Sequence, residues 1–411
     1  MRAMHASTAR LILCLSLLSL LSPFAAAASE YALDYRVALL PATGEAHVVI
    51  STAPIDGRLV RVRIPLDRDR YHAVRAEGGL ARDGDDYTWE VPREGGTLQY
   101  RVRIDHQRRG DGFDARMTRD WALLRGDDLV PPLQSIVTRG ADARARLRFA
   151  LPKGWSIETP YSRSRDGKSY VIVDSERRVD RPEGWLLAGK LGVRRERIAG
   201  MRVAVAAPRG EGVHRNDLLA FVNALGPQMG KAFGELPPRL LLVQAGDPMW
   251  RGGLSGPRSL YLHADRPLLS GNGTSTPAHE LVHVVTRLRG AEDDDWIVEG
   301  LAEYYAIELP HRAGLLSASR RKKALAWMRD RGAPVERLHT NRSQDRVTAR
   351  AVTLFAALDA ELRAASEGKR DLDDVVRRLL PQREVSREAL RDAARSVLGK
   401  SAKSLQTPLL D

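Results

Sequence analysis

The hydrophobic pattern changes period near residue 200, so no single layer of secondary structure can satisfy both halves of the chain. From Tyr31 to about Arg197 the period is two. Leu59-Val-Arg-Val-Arg-Ile64 and Leu98-Gln-Tyr-Arg-Val-Arg-Ile104 alternate apolar and polar residues, as half-buried strands do. Ala46 to Thr52 and Tyr170 to Asp174 are β-branched runs of strand length. Ala42-Thr-Gly44, Glu77-Gly-Gly79, Asp83-Gly-Asp-Asp86 and Arg93-Glu-Gly-Gly96 supply turns between them. Short strands with polar turns predict an antiparallel β-sandwich. Beyond residue 200 the pattern mixes. Met201 to Ala206 and Leu240 to Val243 read as strands. Leu218, Phe221, Val222, Leu225 and Met229 follow a helical period after Asn216 or Asp217, either of which can cap. From Pro277 onward helical spacing dominates, through Ala324–Met328, Ala349–Ala365, Leu372–Leu380 and Arg387–Val397. The expected class is α+β with a helical C-terminus.

The first 28 residues read as a secretory signal. Arg2 and Arg10 flank the apolar run Leu11–Leu21, Pro23 breaks it, and Ala25–Ala28 offers small residues for cleavage before Ser29. The expected organisation is a signal over 1–28, a β-rich domain over 29–198 and a second domain over 199–411. Export to the periplasm or beyond follows. Cys14 is the one cysteine of the chain and lies in the signal, which excludes a disulfide scaffold and cysteine-ligated zinc. Lys and Arg number 65 against 52 Asp and Glu, a net charge of +13. These cations are spread along both halves. Local runs at Arg194-Arg-Glu-Arg197 and Ser319-Arg-Arg-Lys-Lys323 lack interleaved aromatics, so no nucleic-acid partner is expected. Weak attraction to an anionic surface is the secondary expectation.

His279-Glu280-Leu281-Val282-His283 carries the chemistry. Thr276 can cap a helix there, Pro277 suits its first position, and Leu281, Val284 and Val285 give it an apolar face. Histidines at i and i+4 stand one turn apart on one face and can share a metal. Glu280 projects beside them, within reach of a bound water. A second helix opens at Asp293-Asp-Asp-Trp296 and carries Glu299-Gly-Leu-Ala-Glu303-Tyr-Tyr305. Glu299 follows His283 after 15 residues, enough for one turnaround and a return helix. Two histidines and Glu299 would hold one zinc ion per chain with an open position. Gly300 is expected to let these two helices approach. Glu303, at i+4 from Glu299, can accept a hydrogen bond from a ligating imidazole. His263, His214 and His311 are expected at the surface or in caps, and Trp250 in packing.

These motifs resemble the gluzincin metallopeptidases of the MA clan, and most of all the glycyl-aminopeptidase family and the related aminopeptidase N family. Gly252-Gly-Leu254, about 25 residues before His279, and the stretch Ala351–Leu380 add to the resemblance to the first of these. The resemblance implies a β-rich N-terminal domain, a thermolysin-like α+β peptidase domain, and hydrolysis of peptide or protein substrates with Glu280 as the base. It also implies an edge strand, within Leu254–Leu262, that pairs with extended substrate.

The chain departs from the family at three points. Ser255, in Gly252-Gly253-Leu254-Ser255-Gly256, stands where the family has the glutamate that holds a free amine. Thr348 and Ala351 stand where it has a tyrosine and a glycine. Tyr304, Tyr305 and His339, with Thr348 itself, are the remaining candidates to stabilise the oxyanion. Only about 30 residues follow Leu380, and no PDZ module is evident. The expected function is zinc-dependent peptide hydrolysis in the bacterial envelope. The alternative is a zinc-bound, catalytically weak envelope protein that binds peptides or a partner through the same cleft.

Overall fold

A computed structural model describes residues 29–410 apart from 109, 111 and 174–178. The expected signal, with Cys14, lies outside the described residues. The alternating sequences become strands whose faces separate as their pattern demands. In Glu30–Leu40, Tyr31, Leu33, Tyr35, Val37 and Leu39 are buried and the residues between them are not. This strand pairs antiparallel with Glu45–Pro54, which in turn pairs with Gly96–Arg103. Its other neighbour, Asp142–Ala150, runs parallel to it, so the seven-stranded sheet is mixed rather than antiparallel throughout. A parallel partner needs a long crossover, and no local sequence signal marks one. Among the described residues the N-terminal half carries three sheets, of seven, five and four strands, in place of the expected two-layer sandwich. Tyr35 and Tyr100 lie wholly inside it, each satisfied by donating its hydroxyl to a backbone carbonyl, of Asp180 and Leu129 respectively.

Two short strands join the halves. Trp121–Arg125 and Trp185–Gly189 are continuous apolar runs, the mark of strands buried on both faces. Leu124, Leu186, Ala122 and Ala188 face the N-terminal core. Trp121, Leu123, Trp185 and Leu187 face the other way, against Ala204, Ala206, Leu241, Val243 and Tyr261. Those belong to a five-stranded sheet, ordered Leu191–Ile198, Met201–Pro208, Arg239–Ala245, Ser259–His263 and Gly253–Gly256. Its second, third and fourth strands run parallel, and Gly253–Gly256 is the free edge, antiparallel to its neighbour. The expected junction at 198/199 falls in the turn between the first two strands of this sheet.

Helices cover the sheet's other face and build the rest of the second half. Helix Arg215–Phe233 starts after His214, not at Asn216 or Asp217; the Asn216 side chain instead accepts from Arg194 Nε. Helix Thr276–Thr286 is capped by Ser275, one residue before the expected Thr276, with Ser275 Oγ accepting from the Ala278 amide at 3.2 Å. Helix Asp295–Arg312 takes Asp294 as its cap. That aspartate is buried, accepting from Trp296 Nε1 at 3.1 Å and from the Arg387 amide at 2.9 Å. From Trp296 to Pro310 every residue of this helix is buried except Glu299 and Glu303. It is the central rod of the second half, surrounded by the other helices.

Gly300 serves a different contact from the one expected. It lies about 100° around the helix from Glu299, so it faces helix Arg346–Ala365 rather than the histidine helix. A Cβ there would stand 2.5 Å from Ala351 Cβ and 2.9 Å from the Phe355 ring. Gly300→Ala should therefore destabilise the fold by about 1–3 kcal/mol through overpacking. Combining it with Ala351→Gly should recover part of that loss, read as the shift of the urea midpoint in single and double variants.

Candidate metal centre

The histidine helix is short and its two ends are fixed. Ser275 and Pro277 set its start. Arg287, in the left-handed region at φ 53°, ends it, its amide donating to the His283 carbonyl at 2.9 Å. Ala278, Leu281, Val282 and Val284 press into the core. His279 and His283 therefore emerge together on the opposite side, with ring centroids 4.8 Å apart. The central helix passes beneath and brings up Glu299 and Glu303, the two incompletely buried positions between Trp296 and Pro310.

Three side chains converge. His279 Nε2 and His283 Nε2 lie 3.1 Å apart, and Glu299 reaches them with Oε2 at 3.3 Å and Oε1 at 3.4 Å. Ligand atoms around a tetrahedral zinc at its usual bond lengths are about 3.4 Å apart. The separations are thus close to the ligand spacing around such an ion, with one Glu299 oxygen facing each imidazole. Among the described residues, this is the one group of three His, Cys, Asp or Glu side chains close enough to share an ion. The electrostatics agree. Burial disfavours charge on both partners, yet contacts with Glu299 and Glu303 hold the His279 imidazole well above its usual pKa. Likewise burial would raise Glu299, but the two imidazoles hold its carboxyl well below the usual range. The cage is arranged around positive charge, which a divalent cation would supply.

Glu303 Oε2 accepts from His279 Nδ1 at 2.8 Å. With Nδ1 donating, Nε2 is left to present its lone pair to a metal. Beyond Glu299, Asp295 accepts from the Ser343 amide at 2.7 Å. Its carboxyl is raised above the usual range by burial and by the nearby Glu299.

Glu280 is buried on the flank of the helix nearest the free sheet edge. A Cβ on Gly253 would stand 2.8 Å from Thr276 Cγ2 and 3.0 Å from Glu280 Cγ, so glycine permits this strand to lie against the helix. The expected substrate-side strand over Leu254–Leu262 is in fact a hairpin, and its first arm alone is the edge. The Gly252 carbonyl accepts from the His263 amide at 2.9 Å. Alternation along an antiparallel ladder then turns the backbone groups of Gly253 and Ser255 toward the open edge. Leu254 points inward against the inter-sheet cluster, and its carbonyl accepts from Trp185 Nε1 at 2.8 Å.

The candidate oxyanion donors are engaged in other contacts. Tyr304 and Tyr305 are wholly buried, and burial pushes both phenols well above their usual pKa. Tyr305 donates to Asp373 Oδ1 at 2.8 Å, and its ring packs on Phe233. At one and two positions beyond Glu303, both necessarily turn away from the histidines. His339 contacts Arg387 at the surface. Thr348 shares a hydrogen bond with Ser343 Oγ at 3.0 Å. His263, expected at the surface, is buried in its strand, with Nδ1 accepting from the Asp265 amide at 3.1 Å.

A cleft of about 510 Å³ opens beside His279, Glu280 and Glu303, and its wall includes Arg266, Asn272 and Trp250. Sequence reasoning missed Arg266 and Asn272. In a chain this rich in arginine, one more in a Pro-containing loop carries no signal. Trp250, expected in packing, lines the cleft with the Arg108 guanidinium 4.0 Å from its ring centroid.

No family model matches the chain, and no curated protein matches it. Solved structures do. An aminopeptidase N family protein from Idiomarina loihiensis superposes with a TM-score of 0.65 at 15% identity, over 92% of this chain and 74% of that one. Aminopeptidase A of Legionella pneumophila, solved with aspartic acid, superposes with a TM-score of 0.58 at 13% identity, over 93% of this chain and 50% of that one. The fold is therefore that of aminopeptidase N-like proteins, a β-rich N-terminal part followed by a largely helical one.

Removing the partner of His279 tests the metal site directly. Glu303→Ala should weaken zinc binding by about 10–100-fold, measured by competition with a chromophoric chelator. An unchanged affinity would remove Glu303 from the site.

Proposed function

We propose that this protein is a zinc-dependent peptidase of the gluzincin type, related to the glycyl-aminopeptidase family and acting after export in the bacterial envelope. The triangle of His279, His283 and Glu299 beside a buried Glu280 and a free sheet edge carries this reading. Bound zinc would polarise the scissile carbonyl and lower the pKa of water toward ~7. The chain's own residues do the rest. An extended peptide lies along Gly253–Gly256 and pairs with the backbone groups of Gly253 and Ser255. Glu280 takes a proton from the attacking water and returns it to the leaving amine. Glu303 keeps His279 in the ligating tautomer. Arg266 supplies a cationic donor in the cleft, where the family would use a tyrosine. Ser255 offers no carboxylate for a free amino terminus, so the edge strand does not select for one.

One observation favours a second reading, a peptide-binding protein of weak activity: Thr348 is bound to Ser343, and both nearby tyrosines are buried in the core. Turnover separates the two. The purified chain should hold one zinc and cleave amino-blocked peptides, and Glu280→Gln should keep the zinc while losing about 10²–10⁴-fold in kcat. Stoichiometric zinc with no turnover above the variant's background would favour the binder. Absence of zinc would sink both. Arg266→Ala should lower kcat by about 10²–10³-fold with zinc content unchanged.

A further inference from the structure

The five-stranded sheet carries a row of arginines that its own packing does not explain. Arg197 stands directly opposite Arg202 on the next strand, and Arg202 directly opposite Arg239 on the one after. Residues in direct register point to the same face of a sheet, and like charges so placed destabilise it. Strands are about 4.8 Å apart, so the row spans about 10 Å. Arg195, two residues before Arg197, shares the face.

This face is the continuation of the apolar strip of Ala204, Leu241 and Val243 that packs on the N-terminal half. Where that packing ends, the row forms the floor of a cleft of about 520 Å³. The facing wall comes from the N-terminal half and includes Thr159, Ser162 and Arg163. Two acids line the cleft with these five arginines, Glu158 and Glu196, and Glu158 is already paired with Arg195. Arg197, Arg202 and Arg239 make no ion pair among the described residues. Arg239 is half-buried, and its Nε is shielded from solvent with no hydrogen-bond partner. Burial, and then the adjacent Arg202, press its guanidinium below the usual pKa, a measure of how crowded with positive charge the floor is.

We propose that this cleft binds a small soluble anion carrying two or more phosphate groups, held by Arg197, Arg202 and Arg239. A guanidinium fork matches one phosphate at a time, and a row of three matches a chain of them. A single carboxylate would leave the row largely uncompensated. A flat bilayer surface fits less well, because Arg239 is half-buried on the cleft floor beside the wall of Thr159, Ser162 and Arg163. The cleft shares no lining residue with the metal centre, and the assignment stands apart from the proposed hydrolysis.

The test is calorimetric titration of the zinc-loaded chain with tripolyphosphate. Saturable binding of one equivalent is expected, weakening as salt rises from low to physiological strength. Arg202→Gln with Arg239→Gln should weaken it at least about tenfold. Arg61→Gln with Arg63→Gln, both exposed on strand Leu59–Pro65 and outside the cleft lining, should leave it unchanged. The Arg202/Arg239 variant should also melt no lower than wild type without phosphate, since it relieves repulsion within the row. A lower melting temperature would assign the arginines to the fold and overturn the proposal. So would equal loss in the Arg61/Arg63 control, or retention on phosphatidylglycerol vesicles without tripolyphosphate binding.

Discussion

Everything in the second half is arranged around one helix that is apolar nearly all round. Asp295–Arg312 buries every residue from Trp296 to Pro310 except two glutamates one turn apart. Burying a carboxylate without a partner is costly, so these two dictate what must stand over them. What stands there is a pair of imidazoles presented by a short helix pinned at both ends. The candidate metal centre is thus the polar gap in an otherwise continuous core, and its precision derives from the rigidity of that core. Helix Arg346–Ala365 seals the opposite side, close enough that Gly300 has no room for a methyl group.

The same core tolerates other carboxylates by giving each an arginine. Asp373 holds Arg312 with two hydrogen bonds, of 2.6 and 3.1 Å, besides accepting from Tyr305. Glu308 pairs with Arg321, and Asp359 with Arg363. Arginine thereby fixes one helix to another at Arg312–Asp373 and Arg321–Glu308, while Arg363–Asp359 is a pair within one helix. Fixed planar forks suit this use better than lysine, since each can hold two oxygens at once. Arg197, Arg202 and Arg239 differ from these in standing side by side in register on one sheet face, with no ion pair among the described residues.

The histidine helix, the return helix and Glu303 were legible because their spacing is local: i, i+4 fixes a face whatever the surroundings. The alternating strands were legible for the same reason. Long-range facts were not. The parallel pairing of Glu30–Leu40 with Asp142–Ala150 joins segments with no shared signal. The cap of the histidine helix slid from Thr276 to Ser275 because both hydroxyls can cap and only the tertiary contact of Ser275 with the Leu268 carbonyl, at 2.6 Å, decides. Gly300, Tyr304 and Tyr305 carry no such local signal, because only the finished packing shows that the helix is enclosed along Trp296–Pro310. Once it is, every position but two must point into packing.

The strands Trp121–Arg125 and Trp185–Gly189 belong by sequence to the N-terminal half, yet each lends one face to the second half's sheet. They act as a party wall. Neither half can lose the other without baring Trp121, Leu123, Trp185 and Leu187 on one side or Leu241, Val243 and Tyr261 on the other. The two parts are therefore one cooperative unit in mechanical terms. The wall also reaches the free sheet edge, because the Trp185 indole holds the Leu254 carbonyl beside Gly253. The β-rich half is thereby part of the cleft's frame, and the placement of the free edge strand depends on a residue 69 positions earlier in the chain.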